Sequence, residues 1–220
     1  MTYDFHKLLE VPVEGPMLTG ELIIPTNARS LVIFSHGSGS SRLSSRNNFV
    51  AKVLHQHGIG TFLFDLLTKI EDTIYANRFD ISLLTRRLVE ATRFLDSLPL
   101  AAALPFGYFG ASTGAASALG AAALLPARIG AVVSRGGRPD LTGPGLAHVR
   151  AATLLIVGSL DVEVLALNEQ ALTVLPGTRR LAIIPSATHL FEEPGALNQV
   201  AELAAGWFSN YLQPVPQPTS

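Results

Sequence analysis

Short unbroken apolar runs alternate along the chain with longer stretches of helical periodicity. The runs are Leu31–Phe34, Thr61–Phe64, Phe106–Phe109, Ile129–Val133, Thr153–Val157 and Leu181–Ile184. They lack polar alternation, which is the pattern of strands covered on both faces and predicts a parallel sheet. Between them, Phe49, Val50, Val53 and Leu54 share one helical face, and Gly58 sits where that helix should stop. Ile81, Leu84, Leu88, Ala91 and Leu95 form a stripe that opens after Asp80, a good N-cap. An Ala-rich helix is predicted from Thr113, another over Val164–Leu175 ahead of Pro176-Gly177, and a last one through Leu197, Val200, Ala204, Trp207 and Tyr211. All of these stripes are core positions. Leu8–Pro25 reads as two extended runs around a Gly15-Pro16 turn. Alternating strands and helices imply right-handed crossovers and a doubly wound α/β fold.

Residues 101–126 carry no charge and are long enough to span a bilayer, but they contain Pro105, Gly107, Gly110, Gly114, Gly120 and Pro126. A strand followed by a helix, both buried in a core, accounts for them better than a membrane span. The formal net charge of −1 gives no basic face for nucleic acid. With no cysteine, disulfides, thiolate metal sites and a cysteine nucleophile are excluded. The N-terminus shows no signal-peptide pattern, so a cytoplasmic location is expected. Residues 1–213 are expected to form one domain, and the Pro-rich stretch 214–220 a disordered tail.

In doubly wound sheets ligands sit at the carboxyl ends of the strands, so candidate chemistry belongs in the residues just past each apolar run. Phe106–Phe109 leads into Gly110-Ala111-Ser112-Thr113-Gly114, a G-x-S-x-G between a predicted strand and a predicted helix. So sharp a turn leaves no room for side chains two residues either side of the serine. A surface serine in a Gly-rich turn is the bland alternative. After Thr153–Val157 comes Gly158-Ser159-Leu160-Asp161, and after Leu181–Ile184 comes Pro185-Ser186-Ala187-Thr188-His189. Nucleophile, acid and histidine thus occur in the expected chain order, each just past its own strand. Ser112 is expected to be the nucleophile, His189 its base and Asp161 the group that orients the imidazole. Asp161 could equally cap the helix after it, and Asp140 is the competing acid. The backbone N–H of Thr113 and one from the loop His36-Gly37-Ser38-Gly39-Ser40-Ser41 are expected to form the oxyanion hole, with Ser38 preferred and Gly39 the alternative. His36 is read as structural.

These pieces resemble the dienelactone-hydrolase-like branch of the α/β-hydrolases. The resemblance is carried by Phe34–Ser41, Gly110–Gly114, Ile156–Asp161 and His189-Leu190-Phe191-Glu192-Glu193-Pro194, and it runs from the third strand to the final helix. It implies an eight-stranded, mostly parallel sheet with helices on both faces and the Ser112–Asp161–His189 triad. Dienelactone hydrolases of this family resemble one another in using cysteine as nucleophile, whereas this chain has serine.

Arg135 and Arg138 come after the Ile129–Val133 strand and could grip a substrate carboxylate. Pairing with Asp140, Glu192 or Glu193 to brace the loop is the favoured reading of both. His55 and His57 lie two apart on a helix, face different ways and suggest no metal site. The glycine-rich segments match neither a Walker loop nor G-x-G-x-x-G, so no cofactor is implied. The short connection between the Ile129–Val133 and Thr153–Val157 strands leaves no room for a lid domain. The expected activity is hydrolysis of a small carboxylic ester or lactone through an acyl-enzyme on Ser112, with no nucleic-acid or membrane partner. Two other readings are a hydrolase-fold protein that binds a small molecule without turnover, and a dinucleotide-dependent reductase.

Overall fold

The computed structural model describes residues 2–213, so the expected Pro-rich tail lies outside the described residues. In chain order the elements are β1 (Tyr3–Pro12), β2 (Met17–Pro25), β3 (Ser30–Ser35), α1 (Ser45–Gln56), β4 (Ile59–Phe64), α2 (Lys69–Thr73), α3 (Ile81–Asp96), α4 (Pro99–Ala102), β5 (Phe106–Ala111), α5 (Thr113–Leu124), β6 (Ile129–Arg135), β7 (Ala152–Gly158), α6 (Val162–Val174), β8 (Arg179–Ile184) and α7 (Ala196–Tyr211). Two 3-10 segments, Tyr75–Phe79 and Pro139–His148, fill the connections before α3 and β7.

The eight strands form one sheet in the order β1-β2-β4-β3-β5-β6-β7-β8. The β1–β2 and β2–β4 pairs are antiparallel and all later pairs are parallel. This is the mostly parallel eight-stranded sheet of the α/β-hydrolase fold. The apolar runs of β3, β4, β5 and β7 are buried along their whole length, as strands covered on both faces must be. On one face Leu31, Ile33, Tyr108 and Val132 pack with Leu84, Leu88, Leu119 and Ala122 of α3 and α5. On the other, Phe34, Phe109, Val133 and Ile156 pack with Val50 and Leu54 of α1 and Val200, Ala204 and Phe208 of α7. Because β4 lies on one side of β3 and β5 on the other, the order reverses between β3 and β5. The loops after those two strands therefore part around a crevice, the place where such sheets bind ligands.

The connection after β4 is more structured than its sequence suggests. Thr68 caps α2 with a reciprocal box: the Glu71 N–H donates to Thr68 Oγ1 (3.1 Å) and the Thr68 N–H to Glu71 Oε2 (2.8 Å). Arg87 of α3, nearly buried, donates to Glu71 Oε1 at 2.7 Å and pins the segment down. Between β6 and β7 the Pro139–His148 segment lies against α5, with Thr142 Oγ1 donating to the Ala116 carbonyl at 3.2 Å. No lid domain is inserted there. No helix among the described residues is long and apolar enough to cross a membrane.

Two buried histidines make the fold acid-sensitive. His55 is 5% exposed and hydrogen-bonds Thr61 Oγ1 at 2.8 Å. Burial, with the nearby His6, pushes its pKa down from 6.5 to about 4. His36 is lowered too, chiefly by burial. For such groups the unfolded chain takes up protons that the fold refuses, so the His55 contribution to stability falls as pH drops from about 6.5 toward about 4, and His36 acts in the same direction. Denaturant unfolding of His55→Gln, whose amide keeps a partner for Thr61, should lose on the order of 2 kcal/mol less than wild type between pH ~7 and pH ~4.5. Parallel pH profiles for the two proteins would remove His55 from this account.

Candidate active site

Ser112 stands between β5 and α5 at φ 52°, ψ −122°, a conformation that L residues rarely adopt. The flanking glycines leave the backbone no slack. A Cβ at Gly110 would lie 2.4 Å from Ala115 Cα, and one at Gly114 would lie 2.2 Å from the Ser35 carbonyl oxygen and 2.4 Å from that of His36. Three hydrogen bonds hold the turn: the Ser112 N–H donates to the Arg135 carbonyl (3.1 Å), while the Ser112 carbonyl accepts from the Ala115 (3.0 Å) and Arg138 (3.1 Å) N–H groups. Thr113 is the first residue of α5, so its N–H has no acceptor within the helix.

His189 reaches the same place from the loop after β8. Its Nδ1 donates to Asp161 Oδ2 at 2.6 Å. Asp161 precedes α6, but its side chain caps nothing, so the carboxylate is committed to the histidine. The competing acid, Asp140, is held elsewhere: Arg138 Nε and Nη2 clasp its two oxygens at 2.9 and 2.7 Å. The ring rests against Gly136 (φ 51°), where a Cβ would come within 3.4 Å of His189 Nδ1 and Cε1. Glu193 Oε1 accepts from both the N–H (3.0 Å) and the hydroxyl (2.5 Å) of Thr188 and ties down the loop that carries the histidine.

The loop after β3 is fixed by His36. Its Nδ1 donates to the Gly37 carbonyl (3.0 Å) and its Nε2 accepts the Leu66 N–H (3.0 Å), an arrangement that fits a neutral ring. Ser38 lies in the wall of the cavity beside Ser112. Its N–H is already engaged, donating to Thr113 Oγ1 at 2.9 Å. Gly39 turns away into a small crevice with Arg78 and does not line that cavity.

The cavity holds about 220 Å3 and has Ser112, His189, Ser38, Arg46, Asn47 and Arg135 in its wall. Arg135 is 7% exposed, and its Nε and Nη1 have no partner. Burial, with the charge of Arg46 added, pushes its pKa down to about 10. The bracing expected of both arginines is thus found for Arg138 alone. Arg46 and Asn47, in the first turn of α1, belong to no motif that marks them as site residues in the sequence. The polar run Ser44-Ser45-Arg46-Asn47-Asn48 just past the glycine-rich loop is the one available signal.

A second cavity of about 500 Å3 adjoins the first across Ser40 and is lined by Met17, Arg42, Asp65, Thr68 and Lys69. A larger one, about 760 Å3, lies where β8 starts and α7 ends, among Arg179, Arg180, Trp207 and Tyr211, at the other end of the sheet from Ser112. Among the described residues no group of three His, Asp or Glu side chains is placed to hold a metal ion.

The chain is 52% identical to a dienelactone hydrolase from Anabaena variabilis of known crystal structure; the match covers 97% of this chain and 100% of that one, with a TM-score of 0.93. An esterase from Pyrococcus furiosus shares the fold at 17% identity and TM-score 0.75, over 94% of this chain and 92% of that one. Two Mycobacterium tuberculosis proteins, provisionally named as phosphoribosyl transferases, are 55% identical over 201 residues, which is 91% of this chain and 45% of each of them. The chain therefore spans less than half the length of those curated relatives. No family model matches it.

The fit around Ser112 can be tested by two glycine substitutions with opposite outcomes. Gly114→Ala drives a Cβ into two backbone oxygens and should cost about 3 kcal/mol or more. Gly206→Ala in α7, where a Cβ meets nothing within 4 Å, should stabilise by about 0.5–1 kcal/mol. Chemical denaturation of both variants reads the contrast, and a Gly114→Ala protein as stable as wild type would contradict the described packing.

Proposed function

The chain belongs to the dienelactone hydrolase family of the α/β-hydrolases, and on that premise we propose that it is a serine-dependent hydrolase of small carboxylic esters or lactones. The observation that carries this reading is the bond from His189 Nδ1 to Asp161 Oδ2, with the same histidine sharing a cavity wall with Ser112. With Nδ1 as donor to the carboxylate, Nε2 is left as the base. It takes the Ser112 proton as Oγ adds to the substrate carbonyl, and the imidazolium so formed is stabilised by Asp161. The tetrahedral oxyanion accepts from the Thr113 N–H. As it collapses, the C–O bond to the leaving group breaks and His189 returns the proton to the departing alkoxide. Water, deprotonated by the same histidine, then attacks the acyl-enzyme and frees Ser112.

The loop donor in this reading is the Ser38 N–H, which donates to Thr113 Oγ1 in the free protein and exchanges that acceptor for the oxyanion. Thr113 thus contributes twice: its N–H faces the oxyanion, and its hydroxyl keeps Ser38 in register across the crevice. The small cavity favours short acyl groups. The transferase name of the mycobacterial proteins is not carried over, because more than half of each lies outside the match.

A fluorophosphonate probe followed by intact-mass measurement tests the reading. Wild type should take up one equivalent, and Ser112→Ala and His189→Ala none. A folded wild-type protein that stays unlabelled would instead support a hydrolase-fold binding protein without turnover. On an activated ester, Thr113→Val, which removes the acceptor for Ser38, should lower kcat by roughly tenfold with KM little changed. An increase in kcat would mean that the hydroxyl competes with the oxyanion for that donor.

A further inference from the structure

Arg135 is the feature that the hydrolytic chemistry leaves unexplained. A guanidinium that is 7% exposed, with Nε and Nη1 both lacking a partner, is costly to keep charged unless something supplies acceptors. No acid pairs with Arg135, and those on the neighbouring loops bond elsewhere. Asp161 serves His189, Asp140 is clasped by Arg138, Glu193 binds Thr188 through Oε1 while its Oε2 has no partner, and Glu192 pairs with Arg46 at 3.0 Å while staying 65% exposed. A ligand in the cavity that holds Ser112, whose wall Arg135 lines, can supply the missing acceptor.

The surroundings add to the positive field. Helix α1 runs for twelve residues from Ser45, has no acidic residue in its first turn, and presents Ser44 and Arg46 to the cavity. A helix N-terminus favours anions through its free N–H groups and its dipole. Arg46 Nε is buried without a partner as well. Ser38 and Ser40 supply further hydroxyls on the facing loop.

We propose that the substrate carries a phosphate monoester, held by Arg135, Arg46 and the first turn of α1 while its ester or lactone carbonyl lies at Ser112. A single carboxylate is matched by one bidentate guanidinium. Here two guanidiniums and a helix end face the cavity, while the nearby acids Glu192 and Asp161 are held by Arg46 and His189, which suits a dianion with three acceptor oxygens. The cavity beside Ser112 holds about 220 Å3, so the phosphate-bearing acyl part is short, and the rest of the ligand extends across Ser40 into the adjoining cavity of about 500 Å3. The inference deepens the hydrolase reading for turnover, but the binding it describes does not depend on that reading.

Isothermal titration of the protein with inorganic phosphate, and with acetate for comparison, separates the two. Wild type and Ser112→Ala should both bind phosphate at least tenfold more tightly than acetate. Arg135→Met should weaken phosphate at least tenfold, with Tm unchanged or raised because an unpaired buried charge has gone; an arginine that merely braced the loop would lower Tm when replaced. Arg46→Met, at a separate position, should weaken phosphate at least threefold. Matched p-nitrophenyl esters whose short acyl chains end in phosphate, carboxylate or methyl should show kcat/KM falling in that order, and Arg135→Met should level the series. Phosphate binding unaffected by Arg135→Met, or acetate and the carboxylate ester matching their phosphate counterparts, would overturn the proposal. Arg135-dependent phosphate binding in a protein that ignores the fluorophosphonate probe would uphold it while removing the hydrolase reading.

Discussion

The carboxyl edge of the sheet is organised around one strained residue. Holding Ser112 at φ 52°, ψ −122° costs of the order of 1–3 kcal/mol, and such a conformation persists only where its neighbours over-determine it. Here they do. β6 lies in register beside β5, so that the Arg135 carbonyl receives the Ser112 N–H, and the turn after β6 sends the Arg138 N–H back to the Ser112 carbonyl. The close approach of α5 to β3, possible because residue 114 has no side chain, closes the other side. The strain lifts the serine out of the sheet between two loops that carry polar groups.

The same geometry sets the electrostatics of the cavity. Strand β6 supports Ser112 with its backbone and supplies Arg135 from the same residue. Anchoring the serine and placing a buried positive charge beside it are therefore one structural act. In the proposed reaction that charge also favours negative charge developing on an oxygen at Ser112. The histidine is shielded from ambiguity, because its Nδ1 is committed to Asp161 and its ring is seated on Gly136.

Much of this is legible in the sequence, for physical reasons. Strands buried on both faces must be apolar throughout, so β3 to β7 announce themselves as runs; β8 reads the same way in sequence, but it is the edge strand and leaves Arg179, Arg180 and Ile183 exposed. Ser112, Asp161 and His189 each come just after such a run, which marks them as candidates before any contact is known. Other features depend on which partner wins a competition. Asp140, Glu192 and Glu193 are all open to Arg135 and Arg138 in the sequence, and only the packed structure shows Asp140 taken by Arg138, Glu192 by Arg46 and Glu193 by Thr188. Ser38 shows the same effect in the backbone: its N–H is taken by a threonine far along the chain. The segment 66–79 gives no periodic signal because α2 is too short to show one, although Thr68 and Glu71 carry the spacing of a capping box.

The central claim is that Ser112, and no other residue, carries the acyl group during turnover. Acid-quenching the wild-type protein while it hydrolyses p-nitrophenyl acetate, then mapping its peptides by mass spectrometry, addresses that claim directly. The account predicts an acetyl group on Ser112 that disappears once substrate is exhausted. Turnover with the acetyl group on a different residue, or sustained turnover by Ser112→Ala at the wild-type rate, would contradict it.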